Sequence, residues 1–273
     1  MIPKKIHYCW FGGNPLPELA IKCIESWKKY FPDYEIVEWN EKNYNVEEKC
    51  DYIREAYGAK KWAFVSDYAR YDILYQYGGV YFDTDVEVIK SMEEVIKNGS
   101  FMGFEYSKNK KIKVAPGLGM GSLPKQKFYK EILDYYNKIH FLNKDGSYNQ
   151  ITIVEYTTDL LKKYGLIENN IIQKVEDVVI YPTEYFCPLN YETGKILITD
   201  KTVSIHHYTS SWLTEKEKKV KEFERKLLNG YGQKKIDILT KSILYRLIKN
   251  LYMNGLKQTI KKMKKKLIKV KIK

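Results

Sequence analysis

Within the stretch SDYARYDILYQYGGVYFDTDVEVI, residues 66–89, Asp67, Arg70, Asp83 and Asp85 crowd into one short segment. Residues three apart on a helix share a face, so Asp67 and Arg70 are expected to project together. On a strand the period is two, so Asp83 and Asp85 are expected on one face with Thr84 turned away. A two-glycine turn, Gly78-Gly79, joins the helix to the strand and allows the two pairs to converge. Two carboxylates on one side of a strand end repel each other unless a cation sits beside them, and a divalent ion carrying phosphate oxygens meets that need. Mg2+ or Mn2+ is the expected cofactor. The plain alternative is a pair of solvated acids on a surface turn and an ordinary helix ion pair. The apolar VYF before Asp83 argues against it, because an acid beside a buried run requires a partner.

These residues need a frame to hold them. KIHYCWFGG reads as a strand entering a glycine turn, LPELAIKCIESWKKYFP as an amphipathic helix stopped by proline, and YEIVEWN as a second strand. That β-α-β order predicts an α/β domain with a largely parallel sheet and a ligand site beyond the carboxyl ends of its strands, where Trp10 and Asn40 fall. Residues 61–77 contain neither Gly nor Pro and stop at Gly78-Gly79, the pattern of a helix with a glycine C-cap. VYFDTDVEVI follows as a short strand. Further helices are expected near 124–139 and 150–164, and strands near 178–181 and 202–206. A helical limb is expected from about Thr214. GLGMG within APGLGMGS has the wrong spacing for a dinucleotide fingerprint.

The central stretch, together with two others, resembles the glycosyltransferases that carry an Asp-x-Asp sugar-binding region. That group includes yeast initiating mannosyltransferase-like proteins, many bacterial capsule and lipopolysaccharide enzymes, and the catalytic domains of large clostridial glucosylating toxins. IPKKIHYCWFGG resembles their first strand and HHYTSSW, residues 206–212, their C-terminal motif, so the three motifs span residues 1–213 in the expected order. A hydrophobic run before Asp-x-Asp also opens haloacid dehalogenase-type phosphatases. Those carry Thr two places after the second Asp, where Glu87 stands here.

The resemblance implies a GT-A fold, a Rossmann-like mixed sheet flanked by helices that binds a nucleotide sugar. It places Trp10 on the nucleobase, Ser66 and Asp67 on ribose or sugar hydroxyls, and Arg70 on the sugar or pyrophosphate. Asp83 would contact ribose or sugar and assist the metal, Asp85 would bind the metal, and Tyr81 would line the donor pocket. In HHYTSSW it makes His207 a metal ligand, with His206 as the alternative, because alternation along an extended segment sends the two opposite ways. Ser210 would lie beside metal and phosphate and Trp212 over the pyrophosphate or glycosidic oxygen. Asp85, Arg70 and Trp212 are the catalytic candidates. Many relatives carry an Asn where this chain has APGLGMGS, so that segment departs from the pattern. His7 and His140 read as structural or exposed.

Composition bounds the rest. With 273 residues, 44% hydrophobic and 15% aromatic, the chain can bury a sizeable core. Cys9, Cys23, Cys50 and Cys187 show no Cys-x-x-Cys spacing and suit a reducing compartment. Lys4 and Lys5 are followed by IHYCWFGG rather than a signal-peptide apolar run. The net charge is +13, yet residues 241–273 alone hold twelve basic side chains and no acid, leaving the remainder near neutral. In that limb Ile243, Leu244, Leu247, Ile248, Leu251, Tyr252, Leu256, Ile260, Met263 and Leu267 form an apolar stripe opposite the lysines.

Such a limb predicts peripheral attachment to an anionic membrane, at the inner face of a bacterial cell membrane. Packing of the stripe on the catalytic domain, or on a second subunit in a homo-oligomer, is the alternative. Nucleic acid is not expected, because stacking aromatics and a binding motif are missing. The expected organisation is a catalytic domain over 1–213 and a basic helical extension over 214–273. The expected activity is retaining transfer of a hexose or N-acetylhexosamine, from a UDP-sugar by resemblance, to a polysaccharide or lipid-linked glycan. The rival readings are an effector that glycosylates protein and a non-catalytic basic RNA- or membrane-binding module.

Overall fold

The computed structural model describes residues 1–106, 111–190, 193–209, 214–231, 242, 245–253 and 255. The chain forms two compact units, Met1–Asn190 with Ile196–Thr209, and Tyr191–Lys195 with Ser210–Lys273.

The first unit alternates strands and helices from its start: β1 (Lys5–Cys9), α1 (Glu18–Tyr30), β2 (Glu35–Trp39), α2 (Asp51–Gly58), α3 (Trp62–Tyr77), β3 (Gly79–Tyr81) and β4 (Val86–Val88). Then come α4 (Glu93–Lys97), β5 (Ser100–Tyr106), β6 (Ile112–Val114), β7 (Met120–Ser122), α5 (Lys127–Tyr136) and α6 (Ile153–Lys163). β8 (Gln173–Val175), β9 (Val178–Tyr181), α7 (Thr183–Phe186) and β10 (Ser204–His206) complete it. The main sheet has the order β2-β1-β3-β7-β5-β9-β8, with β6 on β5. β1 is parallel to β2 and β3, and β5 to β9, while β7 runs antiparallel between the two parallel groups. The result is the mixed α/β sheet flanked by helices that the resemblance implies.

Alternation along the strands divides the apolar side chains between two cores. Ile6, Val80 and Phe101 face one core with Trp27 of α1, whereas Tyr81, Met102 and Ile180 face the other with α2, α3, α5 and α6. In the second core Asp72 of α3 is buried and accepts Tyr44 Oη (2.7 Å) and Gln76 Nε2 (2.7 Å), with Lys49 Nζ at 2.8 Å. Lys5–Cys9 and Glu35–Trp39 became strands, and Glu18–Tyr30 and Trp62–Tyr77 helices, where the sequence periodicity put them.

One expectation is corrected. VYFDTDVEVI is not a single strand: β3 ends at Tyr81, β4 begins at Val86, and β4 pairs antiparallel with β10 in a separate two-stranded sheet. Asp83 and Asp85 therefore sit on the turn between two sheets, closed by Val86 N–H donating to Asp83 O at 3.0 Å. The apolar residues flanking the turn satisfy two different sheets, which the two-residue period alone does not reveal.

In the second unit α8 (Glu215–Tyr231) opens on a capping box: Thr214 Oγ1 accepts Glu217 N–H, and the Glu217 carboxylate accepts Thr214 N–H at 2.8 Å. Residues 245–253 are helical. Tyr245 and Lys249 both bond the Glu224 carboxylate. Among the described residues no helix is long and apolar enough to cross a membrane.

Candidate functional site

Two devices hold the Asp83–Asp85 turn. On the main-sheet side, the Gly78-Gly79 corner lets α3 fold back into β3. Gly78 has φ +63°, Gly79 has φ +104°, and a Cβ on Gly79 would lie 2.7 Å from Lys5 O. His7 ties this corner down: its Nδ1 accepts Trp39 Nε1–H (3.1 Å), so its Nε2–H donates to Gly78 O (2.9 Å). On the other side, Trp27 Nε1–H donates to Val86 O (2.7 Å) and Ser26 Oγ accepts Val88 N–H (2.9 Å), clamping β4 to α1.

Arg70 lies under the turn with 4% of its side chain exposed, Nη2 at 2.9 Å from Asp67 Oδ1 and 3.1 Å from Asp83 Oδ1. Nη1 donates to Asp83 Oδ2 (3.4 Å), Nε donates to Ser66 O (3.1 Å), and the guanidinium covers the Tyr81 ring at 4.9 Å. Tyr81 Oη donates to Asp83 Oδ1 at 3.1 Å. Burial pushes Asp67 up to about 7, outweighing the neighbouring guanidinium. Arg70 is thus held by two carboxylates and a carbonyl, and Tyr81, 1% exposed, supports Asp83 from the core.

Asp85 is held differently. Its Oδ2 accepts both the N–H and the hydroxyl of Thr209 (2.8 Å each), and its Oδ1 lies 3.0 Å from His206 Nε2. Burial opposes its charge, but His206 and Thr209 more than compensate and hold it well below the usual carboxylate range. His206 moves the other way: burial disfavours its proton, yet the Asp85 charge raises its pKa above the ordinary value.

Asp83, Asp85 and His206 each offer a donor atom within 4.8 Å of the others. The choice of His207 is therefore corrected to His206. The register of β10 with β4 sets His206 opposite Val86, beside the turn, whereas His207 Nε2 pairs with Glu87 at 2.8 Å. Two carboxylates and an imidazole fit a Mn2+- or Mg2+-class ion, and a buried His206 Nδ1 without a hydrogen bond is a ring with bonding capacity to spare.

Trp10 stands just past the carboxyl end of β1, which pairs with β3 through Ile6–Val80 and His7–Tyr81, so it shares the sheet edge with Asp83. It is half-buried, and its indole N–H donates to Asn14 O at 2.6 Å. Ser66 Oγ donates to Trp62 O at 3.0 Å and keeps its lone pairs for acceptance. Ser210 and Trp212 lie outside the described residues.

Three residues near the turn, Gly117, Glu105 and Thr209, are not singled out by the sequence, although two of them lie in segments that are. The glycine-rich departure explains itself in space: a Cβ on Gly117 would lie 2.3 Å from Asp83 Oδ2 and 3.4 Å from Arg70 Nη1. Glu105, near the end of β5, accepts Tyr208 Oη–H at 3.0 Å. Thr209 sits inside HHYTSSW, next to the serine that the motif singles out.

Residues 17–102 match the family described as glycosyltransferase sugar-binding region containing DXD motif. Inositol phosphoceramide mannosyltransferase 3 of Schizosaccharomyces pombe is 33% identical over 35% of this chain and 27% of its own length. A second such mannosyltransferase of that yeast aligns over 33% of its length, so the chain spans about a quarter to a third of these relatives. An uncharacterized glycosyltransferase, L373 of Acanthamoeba polyphaga mimivirus, is 27% identical over 78% of this chain and 84% of its own. The solved structure of the PaToxG glycosyltransferase overlays 59% of this chain and 69% of that one, at 16% identity and a TM-score of 0.43, too low a similarity to add to the architecture described above. The matched region contains α3, the Gly78-Gly79 corner and the Asp83–Asp85 turn, so the likeness to the glycosyltransferase sugar-binding region containing DXD motif covers residues 17–102, where the two acids lie.

Proposed function

We propose that this chain is a metal-dependent glycosyltransferase that moves a hexose or N-acetylhexosamine from a nucleotide sugar to a glycan or lipid-linked glycan. The observation that carries the reading is the convergence of Asp83, Asp85 and His206 beside the Asp67–Arg70 pair, within the matched region. Asp83, Asp85 and His206 would hold Mn2+ or Mg2+, which supplies Lewis-acid neutralisation of the departing diphosphate.

The protein's own groups preorganise that step. Thr209 fixes one oxygen of Asp85, and Arg70 with Tyr81 fixes both oxygens of Asp83, so neither carboxylate reorganises when charge develops. Asp67, near 7, supplies a carboxyl that both donates and accepts around neutral pH, suited to ribose or sugar hydroxyls together with Ser66. Trp10 is assigned to the nucleobase, and Ser210 and Trp212 to the phosphates by resemblance. A UDP-sugar is the first donor to test, with mannose suggested by the names of the two yeast mannosyltransferases. Transfer is proposed to proceed with retention, the leaving phosphate oxygen taking the acceptor's proton. The name of those relatives, which acts on inositol phosphoceramide, supports an acceptor carried on a lipid.

Residues 1–213 are assigned to catalysis and 214–273 to attachment at the inner face of a bacterial cell membrane. In the described part of the limb Ile248, Leu251 and Tyr252 are exposed, as an interfacial stripe requires.

Hydrolysis of a panel of UDP- and GDP-sugars with Mn2+ tests the reading. The expected result is turnover that Asp85→Asn lowers by on the order of a hundredfold to a thousandfold, with unchanged far-UV circular dichroism. Undiminished turnover by Asp85→Asn under saturating Mn2+ overturns the assignment.

A further inference from the structure

The His206 ring presents two nitrogens, and only one has a partner. Nε2 faces Asp85 at 3.0 Å, while Nδ1 is buried without a hydrogen bond, in a residue only 8% exposed. A buried polar atom left unpaired costs on the order of 1–3 kcal/mol. Beside this ring lies Tyr208, whose ring centroid is 4.1 Å from that of His206. Tyr208 has φ +51°, an unfavourable conformation for a bulky side chain, and its hydroxyl is gripped from two sides. Tyr208 Oη–H donates to Glu105 Oε2 at 3.0 Å and accepts from the Cys187 thiol at 2.9 Å. Burial pushes the Cys187 thiol up to about 12, so its proton stays in place. The donor order Cys187, Tyr208, Glu105 is thereby fixed.

Glu105 is the end of that chain, and it interacts electrostatically with both His206 and Asp83. Among the described residues its second oxygen, Oε1, has no hydrogen bond. Tyr208 thus touches both the carboxylate of Glu105, through its hydroxyl, and the ring of His206 whose Nδ1 has no partner.

We propose that Glu105 and Tyr208 are positioning residues for the cation seat: Tyr208 braces the imidazole of His206, and Glu105 accepts its Nδ1–H when Nε2 faces the ion. The inference rests on the metal-dependent reading above. Metal-ligating histidines ordinarily donate their second N–H to such an outer group, which fixes the tautomer and strengthens the ligand.

Mn2+ binding to the full chain, followed by the loss of the free-ion electron paramagnetic resonance signal without nucleotide, tests this apart from catalysis. Glu105→Gln is expected to weaken Mn2+ binding by about tenfold to a hundredfold, with Glu105→Asp intermediate. Glu105→Gln is expected to have no further effect once His206→Ala is present, because a purely structural role would act independently of that ring. Should Glu105→Gln fail to fold, Tyr208→Phe replaces it in the same cycle. Full-strength Mn2+ binding by the folded variants, or effects that add across the cycle, overturns the positioning role and leaves the metal reading standing. No Mn2+ binding by the unaltered chain overturns the metal reading and this inference with it.

Discussion

Gly117 shows how much of the site depends on a missing side chain. The Asp83 carboxylate occupies the space where a Cβ would stand, and from there it reaches both nitrogens of the Arg70 fork. Gly117→Ala is expected to push Asp83 off Arg70 and to lower kcat roughly tenfold to a hundredfold, since displacements of about an ångström have that effect. Donor-hydrolysis kinetics alongside a thermal melt would check it, the melt staying close to that of the unaltered chain. The sequence suggested the meeting of Asp67, Arg70, Asp83 and Asp85 because all four lie within one short stretch, where local periodicity governs placement. It marked the segments that hold Gly117 and Thr209 but singled out neither residue, nor Glu105, because each reaches the turn from a distant part of the chain. Alternation along HHYTSSW does not choose between His206 and His207, because the phase of β10 is set by β4, more than a hundred positions away.

At the scale of elements, the corner between α3 and β3 carries a titratable bolt. His7 bridges β1, β2 through Trp39, and the Gly78 carbonyl, and burial lowers its pKa to about 4 from an ordinary 6.5. The unfolded chain therefore binds a proton that the fold refuses between pH 6.5 and 4, so stability is complete above pH 6.5 and declines as pH falls through that window. Urea unfolding at pH 7 and pH 5 should differ by on the order of 2 kcal/mol from this residue alone. His7→Asn should remove that component of the difference. β1, α1, β2 and α3 are legible along the chain because their periodicity and their glycine or proline stops are local. The sequence hides the break between β3 and β4, because both halves are apolar and only their different partners, β1 and β10, separate them.

For the molecule as a whole, charge is distributed by region: residues 241–273 hold almost the whole net charge and the rest is near neutral. Removing residues 241–273 is expected to abolish co-sedimentation with vesicles rich in anionic lipid while leaving hydrolysis of a soluble donor in place, and equal co-sedimentation would count against membrane attachment. Salt should weaken the intact chain's binding, as screening requires. The two-stranded pairing of β4 with β10 carries a further consequence. Asp83 follows its partner Arg70 out of the ribosome, but Asp85 leaves well before His206 and Thr209, so during synthesis it waits without the two groups that hold it. A nascent chain released short of β10 would keep the strands of the main sheet yet lack the imidazole that completes the Asp83–Asp85–His206 cluster, so the cluster forms only when the polypeptide is nearly finished.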